Sequence, residues 1–420
     1  MTAAARHDRG RPGVTAAGRH DRGWPGVTAP PVALLTYSVK PRGGVVHTLH
    51  LAEALHEAGY PVRVVALGDP AEGFFRPVRA PFTIVPAPPH LPTLEERVFA
   101  SVDALAAGLS GLTSAYPVLL AQDCISARAA CGIRDARRAS GDHAPLVVRT
   151  VHHVDDFTTQ ALIDCQRQAI SGPDRVLVVS DQWRRILEAD YGVSATVVPN
   201  GVALHRYRSA DRRLAAALRD RAGAAGRPQI LTVGGIEPRK GRDTLVRAIA
   251  LLRDAGQDPL LAVVGGHSFQ DYRAYRDRVF SLLPELGLEL DRDIVLLGTV
   301  ADAELPSWFA AADVFAFPST KEGWGLVVLE AMSAGLPVVA SDLPVFREYL
   351  TPGHDALLVP VGDPAALAGA LTAVLGDSRR AARLRAAGQA VAARFTWEAT
   401  AAAHQALYAT LGRAASPARP

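Results

Sequence analysis

The segment richest in chemistry is PSTKEGWGLVVLEAMSAGLPVVASD (318–342), where the carboxylates Glu322 and Glu330 flank Gly323 and Gly325. DVFAFPS (313–319) ahead of it reads as a strand, and Leu326–Ala334 reads as a helix closed by Gly335 and Pro337. A helix that starts on small residues turns its first N–H groups outward at the positive end of the dipole, which suits a phosphate. Glu330 lies five residues past Gly325, roughly 7.5 Å along the axis, a plausible reach from a bound pyrophosphate to its ribose. A carboxylate accepts two hydrogen bonds at once and so matches a vicinal diol. Glu322, ahead of the helix, is expected to face the space beyond the phosphates.

Three further segments carry usable groups. LTVGGIEPRKGRDTLVRAI (231–249) reads as strand, glycine turn and helix, with Arg239 and Lys240 in the loop and Asp243 as the expected helix cap. Either cation could neutralise the charge that develops on a diphosphate leaving group. Gly43 and Gly44 fall at the first strand-to-helix turn, where paired glycines admit a ligand close to the backbone. No full G-x-G-x-x-G is present, which argues against a dinucleotide dehydrogenase. VRTVHHVDDF (148–157) ends a strand on His152, His153, Asp155 and Asp156. Those residues suit metal ligation or proton transfer, but no second His-rich cluster accompanies them. The expectation is one histidine directed into a cleft, and no metal.

Positioning these groups takes alternating strands and helices. PPVALLTYSV (30–39), VVHTLHLAEALHEAG (45–59) and PVRVVAL (61–67) form a strand–helix–strand unit, with Gly59 stopping the helix. Five more short apolar runs follow before residue 200, from FTIVP (82–86) to ATVVP (195–199). The alternation restarts after a charged, Ala-rich stretch (209–222), with strands from QILTVGG (229–235) to DALLVP (355–360) and Ala-rich helices over 363–412. Two runs of βα units imply two doubly wound parallel sheets, each with its own core. Ligands of such sheets bind beyond the carboxyl ends of the strands, so two facing sheets would share one cleft.

A chain of 420 residues with 49% hydrophobic and 21% charged residues is ordinary for two globular domains. The first 29 residues repeat RHDRGRPGVTA (6–16) as RHDRGWPGVTA (19–29) and carry five Arg and two Asp, so the whole net charge of +3 resides there. The remainder is neutral, which argues against nucleic acid as a partner. The repeat has almost no apolar face and is expected to be a disordered extension. Cys124, Cys131 and Cys165 contain no C-x-x-C pair and read as small buried residues of a reducing cytoplasm. No signal peptide or spanning helix is evident, so a cytoplasmic protein is expected, with FFRPVRAPF (74–82) as either a lipid contact or a buried loop edge.

In this order and spacing, the segments resemble the retaining GT-B glycosyltransferases of family 4, the glycogen-synthase-like group. EGWGLVVLE (322–330) resembles the family's E-x7-E motif, and PRKG (238–241), VVPNGV (197–202) and the N-terminal GG agree with it. The resemblance implies two Rossmann-like domains facing a cleft. It implies an acceptor domain over 30–205, a donor domain over 206–394, a helix over 395–412 crossing back to the first domain, and a tail over 413–420. It implies a nucleoside-diphosphate sugar as donor, a hydroxyl acceptor (small molecule, glycan or lipid-linked), and neither cofactor nor obligatory metal.

By the same resemblance Glu330 would hold the ribose and Glu322 would sit beside the transferred sugar. Gly323, Trp324, Gly325 and Leu326 would meet sugar and diphosphate through backbone groups, and Lys240 would clamp the diphosphate, with Arg239 beside it. Gly43 and Gly44 would approach donor phosphate or acceptor. His152 would contact the sugar near its anomeric carbon, and Val300 would lie at the edge of the base. Many relatives place an Arg where this chain has Gly235. Either Arg239 or Arg242 replaces it, or Lys240 and the helix dipole suffice. The rival readings are an inverting transferase, a nucleotide-sugar 2-epimerase, a silent sugar-nucleotide-binding module and a His/Asp metal hydrolase.

Overall fold

The computed structural model describes residues 30–266 and 270–414, so the tandem repeat and residues 415–420 lie outside the described residues. The first unit runs β1 (Val32–Thr36), α1 (Gly43–Glu57), β2 (Val62–Gly68), β3 (Phe82–Pro86), α2 (Leu94–Leu109) and β4 (Val118–Ala121). It continues α3 (Cys124–Ala139), β5 (Leu146–Val151), α4 (Gln160–Ser171), β6 (Arg175–Val178), α5 (Asp181–Tyr191) and β7 (Thr196–Val197). All pairings are parallel, in the order β3-β2-β1-β4-β5-β6-β7. Helices cover both faces of such a sheet, so its central strands are apolar without alternation, and all five residues of VALLT in β1 are buried. β7 is two residues long rather than the five expected over 195–199, because Pro199 has no N–H to continue the ladder.

The second unit opens with α6 (Leu204–Arg208) and α7 (Arg212–Arg221), then β8 (Gln229–Val233), a 3-10 turn at Pro238–Lys240, α8 (Arg242–Asp254), β9 (Leu260–Val264) and α9 (Arg273–Glu285). It proceeds through β10 (Ile294–Gly298), α10 (Leu305–Ala311), β11 (Val314–Phe317), α11 (Leu326–Ser333), β12 (Val338–Ser341), α12 (Pro344–Arg347) and β13 (Leu357–Val359). The sheet is again parallel, in the order β10-β9-β8-β11-β12-β13. α13 (Pro364–Leu375) and α14 (Ser378–Ala392) complete this unit.

α15 (Trp397–Ala414) packs on the first unit: Trp397 lies against His47 and His50 of α1, and Tyr408 against Tyr60. The two strands of chain that connect the units lie side by side. Val202 N–H donates to Phe395 O at 3.1 Å, and a side chain at Gly201 would collide with the backbone of Thr396 and Trp397.

The long loop between β2 and β3 is tied to α1 by Arg76, whose two terminal nitrogens each lie 2.8 Å from the buried Glu53 carboxylate. Phe74 and Phe75 of that loop pack partly on the core, while Phe82 is 41% exposed. No helix among the described residues is long and apolar enough to cross a membrane.

Candidate active site

The carboxyl ends of β8 and β11 bring Lys240 and Glu322 together, 82 residues apart in sequence, with Nζ 2.6 Å from Oε1. Lys240 reaches that place because Pro238–Lys240 forms a 3-10 turn and Gly241 then takes a left-handed conformation (φ 59°) under the Pro318 carbonyl. Any side chain at Gly241 would strike that oxygen. Gly241 is also the residue that starts α8, without a side-chain cap, so Asp243 is not the cap expected from sequence. It accepts instead from the Tyr275 hydroxyl at 2.8 Å.

Lys240 and Glu322 are each only 8% exposed. Burial works against ionising Glu322, but Lys240 and Arg239 outweigh it and hold the carboxyl below its ordinary range. Burial pushes Lys240 down to about 8 despite the attraction of Glu322. The Phe317 ring, 4.7 Å from Nζ, covers the ammonium from the sheet side. Arg239 lies on the same carboxylate, NH1 to Oε1 at 3.6 Å, and also pairs with Glu237 at 3.1 Å.

The structure separates the two arginines left open by the glycine at 235. Arg242 is held beneath the strand end, donating to Thr232 Oγ1 and Gly234 O at 2.8 Å each, while Arg239 reaches Glu322 in the junction. A Cβ at Gly235 would sit 2.6 Å from the Gly266 carbonyl oxygen, so an arginine there requires the β9 loop to move.

α11 begins on Gly325 in a left-handed conformation (φ 85°), and no side chain caps it. Its leading N–H groups are therefore left to an external acceptor. Glu330 projects from this helix toward α6. The Tyr207 hydroxyl bonds it, Arg206 adds positive charge, and Arg206 is itself paired with Asp302 at 2.9 Å. Burial, aided by Asp302, pushes Glu330 up to about 7 against the opposing Tyr207 and Arg206. Val300 packs partly buried on the same core, two residues before Asp302. Leu326 is also partly buried. The Trp324 side chain is buried in the core, and its carbonyl accepts from the Tyr349 hydroxyl at 2.8 Å.

Across the junction, His152 directly follows β5 and rests against the first turn of α1. A Cβ on Gly44 would be in ordinary contact with the His152 ring at 3.9 Å, whereas Gly43 is open. Burial, followed by His153, Arg149 and His404, pushes His152 down to about 3, so it is neutral at physiological pH. The two units meet here: any side chain on Gly323 would strike the His152 carbonyl oxygen, and Trp183 Nε1–H donates to Glu322 O at 3.1 Å. The His152 backbone thus adjoins Gly323, the neighbour in sequence of Glu322, which in turn holds Lys240.

His153, Asp155 and Asp156 take other partners. His153 and Asp155 approach to 3.4 Å, and Asp156 pairs with Lys321 at 2.8 Å. Among the described residues no three His, Cys, Asp or Glu side chains converge as a metal site. Cys124 and Cys165 lie with their sulfurs 3.5 Å apart, and Cys124 is half-buried. Sequence reasoning missed Arg206, Tyr207 and Asp302 around Glu330, and Gln122 and His47 around His152. Nothing in their local pattern separates them from surface or core residues, since each acts by long-range contact.

Two family models cover complementary halves of the chain: "Glycosyltransferase Family 4" over residues 41–206 and "Glycosyl transferases group 1" over residues 217–391. Among curated relatives, the "D-inositol 3-phosphate glycosyltransferase" of Nocardia farcinica is 36% identical over 241 residues, 56% of this chain and 52% of its own. The "Phosphatidyl-myo-inositol mannosyltransferase" of Mycobacterium leprae is 34% identical over 246 residues, 57% of this chain and 60% of its own. The matched region thus spans just over half the length of these relatives. Among solved structures, sucrose-phosphate synthase from Thermosynechococcus elongatus superposes with a TM-score of 0.75 at 25% identity, covering 92% of this chain and 100% of its own. WaaG, a glycosyltransferase involved in lipopolysaccharide biosynthesis, shares the fold with a TM-score of 0.69 at 17% identity, covering 90% and 99%.

Proposed function

The chain belongs to the family 4, group 1 glycosyltransferases with the GT-B fold, and from that premise we propose that it transfers a glycosyl group from a nucleoside-diphosphate sugar to a hydroxyl acceptor with retention of configuration. The observation that carries this reading is the buried Lys240–Glu322 pair beside the uncapped start of α11, with Glu330 farther along the same helix. A diphosphate seated on those N–H groups places its ribose at Glu330, whose ionised carboxylate accepts both hydroxyls.

As the C1–O bond to the diphosphate breaks, negative charge grows on the departing oxygen. Lys240, Arg239 and the α11 dipole stabilise that charge more than they stabilise bound donor. The acceptor oxygen bonds to C1 on the face the diphosphate leaves, and its proton passes to the departing phosphate oxygen. Glu322 holds Lys240 in place and lies beside the sugar, and neutral His152 accepts a hydrogen bond near C1. No metal is required in this scheme, because the cations are supplied by side chains.

The names of the curated relatives suggest an inositol phosphate or an inositol lipid as the first acceptors to test. The experiment combines the full chain with UDP-, GDP- and ADP-sugars and inositol phosphate, and reads the anomeric coupling of the product by NMR. A product with the donor's anomeric configuration is expected. Inversion, or conversion of the donor to its 2-epimer, overturns the reading in favour of its rivals.

A further inference from the structure

His152 is held on two sides by residues to which the transfer scheme gives no role. Gln122, buried at the end of β4, lies with Oε1 2.9 Å from His152 Nε2. Its backbone N–H donates to Leu35 O at 3.0 Å, so its backbone is anchored to β1 at the centre of the sheet. The other side of the imidazole meets the edge of the buried His47 ring, 4.6 Å between centroids at 69°. His47 is in turn backed by Trp397 of α15, 5.3 Å away at 73°.

An amide oxygen accepts and does not donate. With Gln122 Oε1 on Nε2, that nitrogen carries the proton and Nδ1 keeps its lone pair. Gln122 does little for stability in return. Its Nε2 is buried without a protein partner, and an unpaired buried amide is a cost that an apolar isostere removes. A glutamine kept under those terms points to the histidine it contacts.

We propose that Gln122 is a positioning residue for the transfer reaction, fixing His152 as its Nε2–H tautomer against the wall formed by His47. The proposal rests on the reading above that places His152 at the reacting carbon. The ionisable groups facing His152 are His47 from α1, Arg149 and His153 from its own strand and loop, and His404 from α15. None of them is a carboxylate, so Gln122 alone decides whether the ring meets an amide or, in a variant, a negative charge.

The test uses the full chain with Gln122→Met, Gln122→Glu and His152→Ala, following turnover at saturating donor, nucleoside-diphosphate affinity and melting temperature. Gln122→Met is expected to lower kcat by up to ~10²-fold, the effect of a misplaced reacting group, with nucleoside-diphosphate affinity unchanged and the melting temperature unchanged or raised. Gln122→Glu sets a carboxylate on Nε2 and favours the imidazolium. Its kcat is expected to fall toward acid pH over a range where the wild type stays level. Full kcat in Gln122→Met overturns the proposal, as does a joint loss of affinity and melting temperature, which would mark a structural role. His152→Ala separates the two claims. If that variant is fully active, the placement of His152 fails and the proposal with it. If it is inactive while Gln122→Met is not, the proposal alone fails.

Discussion

On the carboxyl-terminal side of the junction the side chains that matter are charged, buried or half-buried, and paired across long sequence distances: Lys240 on Glu322, Arg239 on the same carboxylate, and Arg206 on Asp302 beside Glu330. On the amino-terminal side they are neutral: His152, His47 and Gln122 meet through one hydrogen bond and one ring contact, and burial keeps both histidines uncharged. The difference fits the two tasks. A diphosphate brings its own charge and needs fixed cations, whereas an acceptor hydroxyl needs orientation and would be poorly served by a strong field of either sign. The charged side should govern donor binding and leaving-group departure, and the neutral side should govern alignment.

The largest effect expected on the charged side is that of Lys240→Ala. Steady-state kinetics should show kcat lowered by ~10²–10³-fold, with a smaller rise in KM, because charge on the diphosphate grows toward the transition state. Arg239→Ala should cost less, since Arg239 is farther from the shared carboxylate and 38% exposed at its side chain. A larger loss in the Arg239 variant would reverse their assigned weights. Glu330→Ala should weaken nucleoside-diphosphate binding by about 1.5–3 kcal/mol, the worth of hydrogen bonds to a charged group, as measured by calorimetry.

Glu330 and Lys240 together set a pH window. In the proposed site Glu330 would bind the ribose diol best when ionised, so affinity should fall as pH drops through about 7. Lys240 would hold the diphosphate when protonated, so affinity should fall again as pH rises through about 8. Titrations from pH 5.5 to 9.5 should therefore peak between those values. For folding the sign at Glu330 is opposite. Its raised folded pKa means that stability present below its unfolded value is lost as pH rises through about 7. Glu330→Gln should therefore raise the melting temperature of the free protein at pH 8 while weakening the nucleotide.

The smallest effect concerns the glycine at 235. Gly235→Arg introduces the cation that the family resemblance expects at this position, but its Cβ meets the Gly266 carbonyl oxygen at 2.6 Å. The variant should lose about 1–3 kcal/mol of stability through overpacking and gain no donor affinity. A gain in affinity would show that the β9 loop yields easily.

The same division explains what could be read from the sequence. Strand–helix alternation, two parallel sheets and the carboxyl-end location of the site follow from apolar runs and glycine punctuation, which are local signals. Glu322, Glu330 and Lys240 stand in compact segments whose spacing already implies a phosphate-binding helix start. The cap expected at Asp243 failed because a left-handed glycine, forced by the Pro318 carbonyl, started the helix instead. Gln122, His47, Tyr207 and Asp302 were invisible because each lies in an unremarkable element and gains its role only when the sheets and units close on one another. The choice between Arg239 and Arg242 likewise depended on which guanidinium the strand end would capture.

The division of labour is tested most directly by measuring nucleoside-diphosphate affinity and single-turnover rate on three proteins, the wild type, Lys240→Ala and His152→Ala. The account predicts that Lys240→Ala loses both affinity and rate, whereas His152→Ala binds UDP, GDP or ADP as the wild type does and loses only the rate. Loss of nucleotide affinity in His152→Ala, or full nucleotide affinity and rate in Lys240→Ala, would contradict it.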